Sequence, residues 1–111
     1  MIDAAKRRHR MELQAFDRAL DDDNQPLLYD DEHWTTVARP WARIQPVSGR
    51  EFYEASQSQS EVTHKIDIRY RPGVRTDMRL RLGSRTFEII SAIDWEERHE
   101  TLLIMAKELV E

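Results

Sequence analysis

Between Val62 and Arg71 the chain alternates without a break. Val62, His64, Ile66, Ile68 and Tyr70 interleave with Thr63, Lys65, Asp67, Arg69 and Arg71. A period of two puts the first set on one face of an extended strand and the charged set on the other, which no helix can do. Pro72-Gly73 then turns the chain, and Met78, Leu80 and Leu82 alternate with Arg79 and Arg81. Gly83-Ser84 reads as a two-residue hairpin turn, followed by a returning strand to Ile93. A further turn across Asp94 to Glu100 leads to a last apolar strand, Thr101 to Ala106. Turns at intervals of roughly eight to twelve residues mark an all-β sandwich or barrel with long loops. A small closed barrel is the preferred form, because closure removes exposed strand edges.

The first half is less regular. Residues 1–7 read as a flexible N-terminal tail or one helical turn. His9, Met11 and Leu13 then alternate with polar neighbours, predicting a strand over 8–14. A short helix from Glu12 to Leu20 competes with it, since Leu13, Phe16 and Leu20 also fall at helical spacing. Asp21, Asp22, Asp23, Asn24 and Pro26 favour turns over a continuous element. Trp34 to Ala38 and Trp41 to Val47 read as extended pieces interrupted by Pro40, an edge strand or a bend between two strands. In the second piece Trp41, Ala42, Ile44 and Val47 are expected to supply the packing. Arg50 to Ser60 carries Phe52, Tyr53 and Ala55 and thins to Ser56-Gln57-Ser58-Gln59-Ser60. That composition predicts a mobile loop, opened by a helical turn. The expected strands are thus 8–14, 41–47, 62–71, 78–82, 86–93 and 101–106.

At 111 residues the chain is expected to be one domain. It has no cysteine, which excludes disulfide scaffolds, thiolate zinc sites and cysteine nucleophiles. No segment approaches the ~20 apolar residues of a membrane helix, and no apolar run near the start suggests a signal peptide. The expectation is a protein made in the cytoplasm and used there or in a particle assembled there, with no membrane partner. A formal net charge of -4 argues against a generic nucleic-acid coat. Charge is unevenly placed, with Lys6, Arg7, Arg8 and Arg10 bunched at the start and Asp21 to Asp23 and Asp30 to Glu32 forming an acidic block. Such a pairing is a solvated surface or an interaction surface.

Searches for chemistry return little. His9, His33, His64 and His99 form no pair at metal-ligand spacing, and His64 reads as a hydrogen-bonded core or interface histidine. Asp94, Glu96, Glu97 and Glu100 sit in a turn where solvation explains them; a small hydrolase using Asp94 and Glu97 ranks last. Ser48 lacks the strand-turn-helix setting of a nucleophile elbow, and three glycines form no phosphate cradle. No catalytic residue, cofactor or metal is therefore expected. Arg69, Arg71, Arg79 and Arg81 face away from the apolar edges and are expected to lie on the outside of neighbouring strands. They read first as a salt-bridged sheet surface. The alternative is a DNA-facing patch of a small nucleic-acid-binding barrel.

Several short stretches, in order, resemble one family. They are Trp41-Ala42-Arg43-Ile44-Gln45-Pro46, Ser48-Gly49-Arg50-Glu51-Phe52, Glu61-Val62-Thr63-His64, Ile68-Arg69-Tyr70-Arg71-Pro72-Gly73-Val74 and Gly83-x-Arg85-x-Phe87-x-Ile89. The chain resembles the tailed-phage head-tail joining proteins, also called head-completion, adaptor or stopper proteins. The resemblance implies a small β-barrel of the virion, assembled in the host cytoplasm and located at the head-tail interface. It implies a homo-oligomeric ring, six-fold or twelve-fold, against the portal, connector or adaptor protein on one side and the tail terminator or tail tube protein on the other. Packaged DNA would lie in the channel, which the ring closes or extends. On this reading Arg50, Glu51, Phe52 and Tyr53 are candidate contacts with neighbouring copies or partners, and Ser56, Gln57, Ser58, Gln59 and Ser60 are candidates for a loop that gates the channel.

Overall fold

A computed structural model describes residues 4–18, 20–28, 31–47 and 62–109. Its eight strands are β1 (His9–Arg10), β2 (Glu12–Phe16), β3 (Trp34–Ala38), β4 (Trp41–Pro46), β5 (His64–Arg69), β6 (Arg79–Leu82), β7 (Arg85–Asp94) and β8 (Thr101–Leu109). All pair antiparallel in one sheet, in the order β1-β4-β5-β8-β7-β6-β2-β3. Only Met11 separates β1 from β2, and only Arg39-Pro40 separates β3 from β4. The Met11 N–H donates to the Pro40 carbonyl at 3.0 Å. These two bent segments run side by side, β1 on β4 and β2 on β3, and so join the two ends of the sheet order. The sheet therefore curls into a barrel, as the turn spacing predicts.

Proline makes the bend. Pro40 has no N–H for the ladder, so the paired segments splay there, β4 going to β5 and β2 to β6. The expected single strand over 8–14 is consequently two strands with a break at Met11, and it runs on to Phe16. The competing helix from Glu12 is excluded, because the Glu12, Leu13 and Gln14 ladder to Arg81, Leu80 and Arg79 outweighs a helical spacing with no partner surface. Beyond Phe16 the connection from β2 to β3 forms an arm that comes back against β6 through Asp31, which accepts from Arg79 and Arg81. Its base is closed by the Asp17 N–H on the His33 carbonyl at 3.0 Å and by His33 Nδ1 against Asp17 Oδ2 at 2.8 Å. Asp21 organises its tip, Oδ1 accepting from the N–H groups of Asp23 and Gln25 at 2.8 and 2.9 Å.

The remaining turns follow their sequence signals. Gly83 has φ 59°, the left-handed value that a two-residue hairpin requires, and Leu82 pairs with Arg85 across it. Gly73 has φ 86° in the Pro-Gly turn. Between β7 and β8, Asp94 Oδ1 accepts the His99 N–H at 2.9 Å, while Oδ2 meets the His99 ring. The His99 ring in turn stacks on Tyr70 at 4.5 Å. Asp94 thus serves the turn itself. Glu96, Glu97 and His99 all take positive φ.

One face of the sheet turns inward. Met11, Leu13, Ala42, Ile66, Ile68, Met78, Leu80, Phe87, Ile89, Leu102, Ile104 and Ala106 form the buried core. The alternating set of β5 sits here as expected, with Ile66 and Ile68 fully buried. Two corrections concern β4 and the N-terminus. Ala42 packs inward, whereas Trp41, expected in the core, is 53% exposed because its neighbour already occupies the inward position. Residues 4–6 form a single helical turn, but Arg7, assigned by sequence to a loose tail, is fixed. Its Nε donates to Asp67 Oδ2 at 3.0 Å and its NH2 group to Thr101 Oγ1 at 2.8 Å. That strap lies over the outer face of β5 and β8.

His64 occupies the inner face at the barrel's end. Its ring meets Phe87 edge-on at 5.3 Å, its Nδ1 lies 2.9 Å from Thr63 Oγ1 and its Nε2 lies 3.9 Å from Glu108. Burial pushes its pKa below the usual value, the Glu108 carboxylate opposes that and Arg85 adds to it. The fold therefore prefers the neutral ring. Its stabilising effect is complete above the unfolded value of about 6.5 and is lost as the pH falls below it. Melting temperature is expected to drop as the pH falls below about 6.5, and His64→Gln should flatten that slope. An unchanged slope in the variant would assign the pH dependence elsewhere.

Candidate interaction surfaces

The outer face carries two features with contrasting chemistry. Around β2, β3, β6 and β7 lies a groove of about 520 Å³, lined by Phe16, Leu28, Trp34, Met78 and Leu109 together with Asp31, Asp77, Arg79, Arg81 and Glu88. Trp34 anchors it. The indole N–H donates to the Leu28 carbonyl at 2.9 Å, and its ring lies 5.2 Å from Phe16. The Arg79 guanidinium sits 4.3 Å over the Trp34 ring, a cation–π contact. Arg79 Nε donates to Gln14 Oε1 at 2.7 Å, and its NH2 group to Asp31 Oδ1 at 3.0 Å. Arg81 reaches the other oxygen, Asp31 Oδ2, at 2.9 Å. The two guanidinium groups hold the Asp31 carboxyl below the usual carboxylate range, the Arg81 hydrogen bond being the largest cause. Arg81 Nε is buried without an acceptor among the described residues.

Around β1, β4 and β5 lies the second feature. Cross-strand partners share a face, so Arg10, paired with Trp41, lies beside it. Ala42 pairs with Ile68 and Arg43 with Asp67, which places Arg69 beside Trp41 on the outer face as well. The Arg10 guanidinium is 5.5 Å from the Trp41 ring centre. Arg10 and Arg69 are exposed and Arg43 is half-buried. None of the three makes an ion pair among the described residues.

The four arginines expected as one outer patch are separated. β5 and β6 are not neighbours, since β8 and β7 lie between them. Arg69 is exposed on β5 and Arg71 is half-buried after it, whereas Arg79 is only 7% exposed and engaged with Gln14, Asp31 and Trp34. The salt-bridged reading describes Arg79 and Arg81. Sequence gave no local sign of this, because Asp31 stands 48 and 50 positions from its partners. Trp41, expected in the packing, lies on this outer face instead; the period of two, with Ala42 inward, is the signal for that. Arg50, Glu51, Phe52 and Tyr53, and Ser56 to Ser60, lie outside the described residues. Among those described, no group of three or more His, Asp or Glu is placed to hold a metal ion.

Comparison with known proteins places this architecture. Residues 2–109 match the family described as phage head completion protein. A solution structure of a protein from Shigella flexneri 2a is similar over 99% of both chains, with 23% identity and a TM-score of 0.71. A chain in the virion of a native gene transfer agent particle is similar over 93% of this chain and 96% of its own, with 21% identity and a TM-score of 0.61. No curated protein matches. The structural likenesses bear on the fold, and the family match covers nearly the whole barrel.

Proposed function

The chain belongs to the phage head completion protein family, a structural component of the virion, and from that membership we propose that it joins head to tail. In this reading several copies form a ring on the portal, connector or adaptor protein, close or extend the DNA channel after packaging, and present a surface to the tail. The match across residues 2–109 carries the proposal. The barrel fits the task physically. A filled core with every central strand paired is stiff, as a part under load from packaged DNA must be. The outer face, with its exposed Trp41, Val37 and Leu28, leaves side chains for contacts between copies. Ring contacts are heterologous, one patch meeting a different patch on the next copy.

The reading is tested with DNA-filled heads made without this protein. Adding the purified chain should make the packaged DNA resistant to nuclease and allow added tails to attach. Heads that gain neither property would refute it. The nucleic-acid alternative predicts instead that the isolated chain binds free duplex DNA with a steep salt dependence.

Arg50, Glu51, Phe52 and Tyr53 remain proposed partner contacts on their composition alone. Phe52→Ala with Tyr53→Ala is expected to leave the melting temperature almost unchanged while blocking head completion. Unfolding of the double variant would place these rings in the core, and normal completion would remove them from the joint.

A further inference from the structure

We propose that the basic face around Trp41 receives the acidic arm tip, residues 20–26, of the next copy in the ring. The inference rests on the ring reading and names the contact that builds it. Arg8, Arg10, Arg43, Arg69 and Arg71 reach no carboxylate among the described residues. All of them lie on β1, β4 and β5 or close beside those strands. Every other described arginine is paired, from Arg7 on Asp67 to Arg98 on Glu96. In a chain of net charge -4, the positive charge that is left unneutralised is thus gathered on one side. Trp41 stands in its midst, 53% exposed, with Arg10 and Arg69 as its cross-strand neighbours. Such a face fits an acidic partner that also carries an apolar side chain.

The arm tip has that chemistry. Asp21, Asp22 and Asp23 are consecutive and exposed, and none of them meets a cation among the described residues. Leu20, 53% exposed, pairs with Pro26 across the base of the turn. The turn is already set. Asp21 Oδ1 holds the Asp23 and Gln25 N–H groups, and the Asp21 N–H donates to the Gln25 carbonyl at 2.8 Å, so docking it costs little ordering. Leu20 and Pro26 then cover Trp41, while Asp22 and Asp23 reach Arg10 and Arg69.

Placement makes this a contact between copies. Residues 9–16 and 34–42 form one bent ribbon, with Arg10 paired to Trp41 near one end and Phe16 to Trp34 at the other. The arm continues from the second end. About 20 Å of strand between Arg10 and Phe16, and then the arm itself, separate the tip from the face. One chain thus carries the two halves of the contact at opposite ends, an arrangement that repeats head to tail until rotation closes it. Like charge disfavours pairing face to face or tip to tip. Duplex DNA is the competing polyanion for this face, and the tip is favoured because it brings apolar cover for Trp41 that a phosphate backbone lacks.

Charge reversal tests the contact. Arg10→Glu with Arg69→Glu, or Asp22→Arg with Asp23→Arg, should each leave the monomer's melting temperature almost unchanged and lower head completion about tenfold or more. All four changes in one chain set opposite charges against each other again and should recover most of the loss. Normal completion by either pair alone would overturn the docking. So would a combined variant that recovers nothing, the result expected if the face binds DNA instead. Because the chain has no cysteine, cross-linking gives a second reading. Particles made with Asp22→Cys and Arg69→Cys in one chain, treated with a short bis-maleimide, should give a ladder that runs past the dimer, and neither single variant should. Particles that hold several copies, all at monomer or dimer mass, would overturn the docking and leave the ring reading to its own test. Particles that hold only a single copy would overturn both.

Discussion

Asp67→Ala is expected to destabilise the monomer by about 3–5 kcal/mol, the cost of leaving a buried charge without its partner. Asp67 and Arg7 have side chains only 5% and 9% exposed, and they meet at 3.0 Å. The second guanidinium arm is held by Thr101, itself buried. Removing the carboxylate strands Arg7, which must then release the strap and expose the outer face of β5 and β8. Replacing both partners with apolar residues, Arg7→Met with Asp67→Leu, should restore most of the loss, since a buried pair is replaceable as a unit. The measurement is denaturant unfolding of the three proteins. A loss below about 1 kcal/mol for Asp67→Ala would mean that the strap is not closed in solution.

Ile68→Ala is expected to cost about 2–5 kcal/mol by leaving a cavity in the core. Ile68 is fully buried between Ala42 on β4 and Leu102 on β8, its register partners. Both neighbours lie in paired strands, so the backbone has little freedom to collapse into the space. A midpoint shift at unchanged denaturant dependence is the expected signature. A shift corresponding to less than about 1 kcal/mol would contradict the inward assignment of this strand face.

These two residues also mark what a sequence can convey. Ile68 was legible because it belongs to an uninterrupted alternation, and alternation reports one buried face directly. The same alternation placed Asp67 on the wet side, where it lies buried instead, since what covers it is Arg7, sixty positions earlier. Gly83 and Gly73 announced their turns because a positive φ narrows the choice of residue. The apolar run predicts a last strand that ends at Ala106. It continues to Leu109 because Lys107 pairs with Glu88 and Glu108 is held by Arg85 at 2.9 Å. The Arg85 hydrogen bond keeps the Glu108 carboxyl below its usual range.

The interaction surfaces were less readable for the same reason. Arg79 and Arg81 have outward positions in the alternation, yet Asp31 and Trp34 fold back over them from the arm. Hydrophobicity alone puts Trp41 in the core, whereas a strand with Ala42 facing inward must turn Trp41 outward. Order and spacing of several weak motifs pointed to the family where no single motif did. That collective signal is the one that the match over residues 2–109 repeats.

Imaging of purified particles that carry a tagged version of this chain tests the central claim most directly. The account predicts several copies as a ring of barrels at the single vertex where head meets tail, with the channel running through it. Particles that are complete, tailed and infectious without the chain, or that carry it scattered over the capsid, would contradict it.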